Sequence, residues 1–139
     1  MTEIELGDIP PLERTIELRD MVAYAGATWD WHRMHYDAAY LAERGLPGPV
    51  VDGQVFGALL AEQLLDWLGP RAVLRSLHFR FKNLVHAGET VRCTGRVVAE
   101  HDGLLTVEQR VVVVGGPGPE RVAVHPAGAE VLLRAEEGR

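Results

Sequence analysis

The hydrophobic period of this chain changes once, at Gly69-Pro70, and that switch constrains its fold more than any other feature. Upstream of it, Val55, Phe56, Leu59, Leu60, Leu64, Trp67 and Leu68 recur at steps of three and four. They make one broad apolar stripe and predict a helix over residues 53–68. Asp52 stands where an N-cap is wanted, and Gly57, Ala58 and Ala61 permit close approach of a neighbouring backbone. Downstream the period is two: Leu77, Phe79 and Phe81 alternate with Ser76, His78, Arg80 and Lys82. Strands are expected over residues 73–84, 90–100, 104–114 and 127–134, with His101-Asp-Gly103 as a hairpin turn between the second and third. Val111-Val-Val-Val114 is apolar on both faces, as a central strand is.

Ahead of the helix, residues 15–19 alternate as a short strand does. Asp20 is placed to cap a helix over 21–27, and Asp37 to cap one over 38–44 that stops at Gly45. Residues 1–14 read as an extended arm. One long helix with about five mostly antiparallel strands predicts an α+β layer in which the sheet wraps the helix. The 139 residues suffice for one domain (1–139) with its own core, and they contain no repeat or linker.

Composition narrows the function. A net charge of -6 argues against nucleic acid, which calls for a basic patch. No apolar run reaches the length of a membrane span, and the acidic start lacks the pattern of a secretory signal. A cytoplasmic location is the expectation. The single cysteine, Cys93, sits in a strand-like stretch and reads as an inert core residue. His78, His86, His101 and His125 are scattered without the spacing of a metal site, so neither a metal nor a tightly bound cofactor is expected.

The chemistry concentrates in Ala27-Thr-Trp-Asp-Trp-His-Arg-Met-His-Tyr-Asp37, where Asp30 and His35 are spaced to converge on one water, and in Gly48-Pro-Val-Val-Asp-Gly53, the turn that feeds the long helix. Taken singly, Asp30 reads as a turn residue and His35 as a half-buried structural histidine; their spacing and the glycine turn favour a joint role. Adding water to an α,β-unsaturated thioester requires a base for the attacking water and fixed donors for the developing enolate oxygen. Asp30 and His35 are candidates for the first, and the Gly53 amide at the helix start for the second. Val51, Asp52 and Trp31 are candidate substrate contacts, although Asp52 needs no role beyond capping; Trp29 is expected to pack nearby. His32 is a neighbour of the pair or faces solvent. Arg80 with Lys82, and Arg92 with Arg96, either receive phosphates or form solvated strand faces.

On these motifs the sequence resembles the MaoC-like, or hydratase 2, group of hot-dog enoyl-CoA hydratases and 3-hydroxyacyl dehydratases, whose pattern runs Gly-Asp-x-Asn-Pro-x-His-x-Asp and then Pro-x-x-His-Gly. Asp30, His35 and Asp37 fall on the first motif and Gly53 on the glycine of the second. The resemblance implies a hot-dog fold, a hydro-lyase acting on an acyl-CoA or acyl-carrier thioester, and pairing as a homodimer or with a second hot-dog chain. His32-Arg33 replaces the family's Asn-Pro, Asp52 replaces its histidine, and Ala61 stands where a small hydroxyl residue is common. These departures are similar to those of actinobacterial subunits acting on steroid side-chain thioesters. Two other functions stay open: a hot-dog thioesterase, with Glu62 as its carboxylate, and an acyl-binding subunit of a heteromeric hydratase.

Overall fold

The computed structural model describes residues 4–135. One antiparallel sheet contains β1 (Gly7–Asp8), β2 (Leu12–Thr15), β3 (Ala72–Phe81), β4 (Thr90–His101), β5 (Leu104–Gly115) and β6 (Arg121–Leu133). Its order is β1-β4-β5-β6-β3, with β2 also paired to β4, so β3 is an edge. The helices are α1 (Leu18–Thr28), α2 (Ala38–Glu43) and α3 (Gln54–Leu68).

The predicted stripe of α3 is the part that packs on the sheet. Phe56, Leu59 and Leu60 enter a cluster with Val91, Val111, Val113 and Val124, while Leu64 enters a second with Val97, Leu105, Val107 and Val131. Leu60 and Leu64 are fully buried, and burial of a leucine contributes roughly 1.5–3 kcal/mol. Two glycines let β3 approach the helix. A Cβ on Gly57 would lie 2.7 Å from the Phe79 ring, and one on Gly53 would lie 2.3 Å from the Phe81 ring. Four residues of helix rise about 6 Å and two residues of strand about 6.6 Å, so the two aromatic–glycine contacts keep step.

The sequence pattern also held a signal that the stripe obscures. Gln63 falls on the buried face of α3 and Gln109 on the buried face of β5, and both are buried. Gln63 donates from Nε2 to the carbonyls of Pro10 and Cys93, and Gln109 donates to the Leu60 carbonyl and to Gln63 Oε1. This pair ties the N-terminal segment, α3 and the sheet together.

Several boundaries differ from expectation for physical reasons. The early strand is Leu12–Thr15 rather than 15–19, because β2 pairs with residues 90–93 of β4 and the chain turns into α1 straight after. Residues 4–14 are therefore stitched to the sheet by β1 and β2; residues 1–3 lie outside the described range. Asp20 is not the cap of α1. Glu17 is, and Asp20 accepts from its amide at 2.9 Å to close a capping box. Asp37 does cap α2, accepting from the Tyr40 amide at 3.1 Å, although that helix ends at Glu43. The turn between β4 and β5 has positive φ at Asp102 and Gly103, the backbone of a tight hairpin.

The last strand begins at Arg121, not 127, and passes through His125-Pro126. Proline lacks a ladder donor. It is accommodated because the register shifts beside it on both flanks, between Gln109 and Val111 of β5 and between Phe79 and Phe81 of β3. Cys93 is buried, and desolvation pushes its thiol up to about 12, which suits an inert core residue. Among the described residues, no helix is long and apolar enough to cross a membrane.

Candidate active site

The site is built where α1 ends. Trp29 takes a left-handed conformation at the helix C-cap and turns the chain into Asp30. Asp30 accepts the His32 amide at 3.3 Å, and His32 Nδ1 accepts the Met34 amide at 3.1 Å. These two bonds start a single 3-10 turn, Arg33–His35, braced by the Arg33–Asp37 ion pair at 2.8 Å. The turn presents His35 inward, with only 11% of its side chain exposed.

His35 Nδ1 lies 2.6 Å from the carbonyl oxygen of Val50. A carbonyl only accepts, so Nδ1 carries the hydrogen and Nε2 of the neutral ring is left as a free acceptor. That nitrogen lies 3.9 Å from Asp30 Oδ2 and 4.0 Å from Asp52 Oδ2. Both separations exceed a direct hydrogen bond and fit a bridging water. The donor atoms of Asp30, His35 and Asp52 all lie within 4.8 Å of one another.

The two carboxylates differ in environment. Asp30 is 46% exposed, and its carboxyl is held below the ordinary value chiefly by the neighbouring Asp52 carboxyl, then by the His32 amide. Asp52 is 14% exposed, and burial raises its carboxyl; the Gln54 amide, which it accepts at 2.9 Å, works the other way, and Asp30 raises it again. Asp30 therefore ionises first. The helix begins at Gln54 with Gly53 as its N-cap, so Asp52 stands one residue ahead of the cap rather than on it as expected; its carboxylate still accepts the Gln54 amide, and it faces the pair. Nothing in its spacing signals the second role, since 22 residues separate it from Asp30.

Asp30, His35, Val51, Asp52 and Gly53 share one cavity of about 450 Å³, with Phe56, Phe81, Lys82 and Val85 in its wall. Trp31 does not line it; it is 44% exposed and stacks edge-on against Trp29 at 5.8 Å. Lys82 is thus the one of the four noted cations at the site. Arg92 and Arg96 line a separate groove of about 660 Å³ over β4 and β5, where Glu13 pairs with Arg92 at 3.0 Å. Glu62 is remote too: it pairs with Arg14 at 2.8 Å beside a third, smaller cavity.

Gly53 shows why a glycine stands here. The ring of Phe81, 55% exposed, occupies the space of a Cβ. Among the described residues, no acceptor meets the Gly53 amide. Gly53→Ala is expected to cost about 1–3 kcal/mol by overpacking, and much less in a Phe81→Ala background. A double-mutant cycle of thermal unfolding measures this, and strictly additive losses would show that the ring is not the constraint.

The segment holding the Val50 carbonyl is itself clamped. Val51 donates to the Val85 carbonyl at 2.8 Å, Ala87 donates to that of Pro49 at 3.0 Å, and His86 Nδ1 lies 3.1 Å from that of Gly48. The 85–89 loop is held in turn by Glu89, fully buried, whose carboxylate takes the Arg121 guanidinium at 2.5 and 2.8 Å and the His86 amide at 2.9 Å.

A family model described as MaoC like domain matches residues 7–115. The chain belongs to the MaoC-like family. This MaoC-like chain is 32% identical, over 88 residues, to the 3-oxo-4,17-pregnadiene-20-carboxyl-CoA hydratase beta subunit of Mycobacterium tuberculosis; the alignment covers 63% of this chain and 68% of that subunit. Among solved structures, it superposes on a chain of the ChsH1-ChsH2 complex from Mycobacterium tuberculosis with a TM-score of 0.83 at 27% identity, covering 95% of this chain and all of that one. The (R)-hydratase from A. caviae involved in PHA biosynthesis gives 0.84 at 25% identity, covering 96% of this chain and all of that one. The fold is the hot-dog, and the expected sheet on a central helix is its architecture.

Proposed function

We propose that this MaoC-like chain is an enoyl-CoA hydratase, adding water across the double bond of an α,β-unsaturated acyl thioester and, in reverse, dehydrating the 3-hydroxyacyl thioester. The observation that carries the reading is the His35 ring, tied through Nδ1 to the Val50 carbonyl so that Nε2 faces Asp30 Oδ2 at 3.9 Å in an apolar-walled cavity. A water held between them is activated by His35 and oriented by Asp30. As its oxygen bonds to the β-carbon, one proton passes to Nε2 and the double-bond pair moves toward the α-carbon and the thioester oxygen. The Gly53 amide, at the positive end of α3, meets that oxygen. A proton returned to the α-carbon completes the addition and restores the enzyme. Val51 lines the acyl cavity, and Lys82 stands at its wall.

The alternative of thioester hydrolysis loses its candidate carboxylate, because Glu62 is engaged by Arg14 outside this cavity. Similarity to a steroid side-chain hydratase subunit supports a bulky acyl-CoA as substrate, and the naming of that relative as a beta subunit supports a second hot-dog chain as partner. The unpaired edge of β3, with exposed Phe81 and Leu84 at its end, is a surface such a partner or a second copy would cover. No metal or bound cofactor takes part in the proposed chemistry.

The test is a panel of enoyl-CoAs, from short linear to steroid side chains, assayed with the chain alone and with a co-expressed hot-dog partner. Loss of the enoyl chromophore without free thiol, unchanged after dialysis against EDTA, is expected. Thiol release in step with substrate loss would replace hydration by hydrolysis, and activity only with a partner would make this chain one subunit of the enzyme.

A further inference from the structure

Asp30, His35 and Asp52 are tethered alike. Asp30 accepts the His32 amide and Asp52 the Gln54 amide, each through Oδ1, while His35 meets the Val50 carbonyl through Nδ1. The other donor atom of each side chain is turned to its neighbours: Nε2 lies 3.9 Å from Asp30 Oδ2 and 4.0 Å from Asp52 Oδ2. Hydrogen bonds on the far atom are what fix the tautomer and aim of metal ligands. Nε2 presents a lone pair from a ring only 11% exposed, in a cavity that a cation can enter past the half-exposed Asp30. One imidazole nitrogen with two carboxylate oxygens is a donor set for zinc; magnesium and calcium take oxygen alone. Zinc bonds of about 2.0–2.2 Å put the corners of a tetrahedron about 3.3–3.6 Å apart. An inward shift of roughly 0.5 Å at each donor closes the set to that size, and a fourth position stays open to water. Asp52, a departure from the family pattern, completes the set.

On the hydratase reading above, we infer that Asp30, His35 and Asp52 form a reversible zinc site through which the ion inhibits hydration. The enzyme works without metal, and zinc is an inhibitor, not a resident cofactor. Its bond to Nε2 takes the lone pair that accepts the proton of water, and its bond to Asp30 takes the oxygen that orients that water. The ion also stands in the place of the attacking oxygen. His101 and Asp102 make another imidazole–carboxylate contact, at 3.4 Å, but their side chains are 91% and 92% exposed and offer two donors, not three. Zinc therefore favours the buried trio.

The experiment titrates EDTA-treated protein, freed of chelator, with zinc chloride by calorimetry and follows hydration of an enoyl-CoA. The expected result is a single zinc per chain, bound at micromolar concentration or below. Hydration falls as that site fills, returns with EDTA, and is untouched by magnesium at the same concentration. Asp52→Asn and His35→Ala each weaken zinc binding by at least about tenfold, whereas His101→Ala leaves it unchanged. Asparagine still accepts the Gln54 amide, so the helix start survives. Thermal unfolding without zinc checks this, and zinc raises the midpoint of the wild type but not of Asp52→Asn. Absence of stoichiometric binding, equal binding by Asp52→Asn and wild type, loss of binding in His101→Ala, or hydration that zinc leaves unchanged or increases overturns the inference. The two arms separate the levels: zinc bound through Asp52 by a chain that hydrates no enoyl-CoA removes the hydratase reading and keeps the metal site.

Discussion

Asp30→Asn and His35→Ala are each expected to lower kcat/KM for hydration by about 10²–10⁴-fold, the usual worth of a placed acid or base. The loss should fall on kcat, because in the proposed mechanism both groups act on the water and neither seats the acyl chain. Folding should survive. Asp30 is nearly half exposed, and His35→Ala removes one side-chain hydrogen bond, to the Val50 carbonyl, worth about 1 kcal/mol. The controls are thermal unfolding and binding of an unreactive saturated acyl-CoA, both of which should stay near wild type. Undiminished turnover in both variants would remove the assigned chemistry, whatever the family. Loss of turnover with loss of acyl-CoA binding would make the residues part of the pocket and leave the base unidentified.

The largest effect on stability is expected from Glu89→Ala. The carboxylate is fully buried and takes two donors from Arg121, itself only 18% exposed. Deleting one partner of such a pair strands the other charge and costs about 3–5 kcal/mol. Removing both, in Glu89→Ala/Arg121→Ala, should cost less than the sum of the single changes. The pair also sets a pH dependence. Burial alone would raise the Glu89 carboxyl, but the Arg121 hydrogen bonds and the His86 amide outweigh it and leave it below its ordinary value of 4.5. A depressed folded value means that the stabilisation is complete above the ordinary glutamate range and fades as pH falls through the folded value. Wild-type stability should therefore fall on acidification below the ordinary glutamate value of 4.5, and the acid slope should shrink in the double variant. A Glu89→Ala protein as stable as wild type at neutral pH would show that the loop is held by its backbone bonds alone. Because this clamp supports the 48–51 segment, hydration should fall alongside stability.

Much of the fold was legible because its signals are local. The 3–4 periodicity of α3 and the alternation of β4 and β5 each repeat over a dozen residues or more, enough to outweigh accidents of composition. The start of the final strand is hidden because His125-Pro126 is locally a strand breaker, made tolerable by the register shifts on both neighbours. The first strands were misplaced because β1 and β2 are only two and four residues long and exist through pairing with β4. The site divides the same way. Asp30, His35 and Gly53 could be picked out from motif spacing, and the cavity brings them together. The approach of Asp52 to Asp30 could not, because it depends on how the 44–53 segment folds back over the 3-10 turn. Trp31 lies outside the cavity because, although an aromatic beside the candidate aspartate reads as a wall, it follows the left-handed turn at Trp29 and is exposed.

The acceptor that selects the tautomer of His35 is a peptide oxygen, and that limits how this centre can change. No substitution at position 50 deletes the group, so alterations to the side chain there touch only packing. The aim of the imidazole is adjustable mainly by displacing the main chain, through Gly48, Pro49 or the clasp beneath them. Drift that leaves Asp30, His35 and Asp52 intact would then retune the candidate centre from outside it.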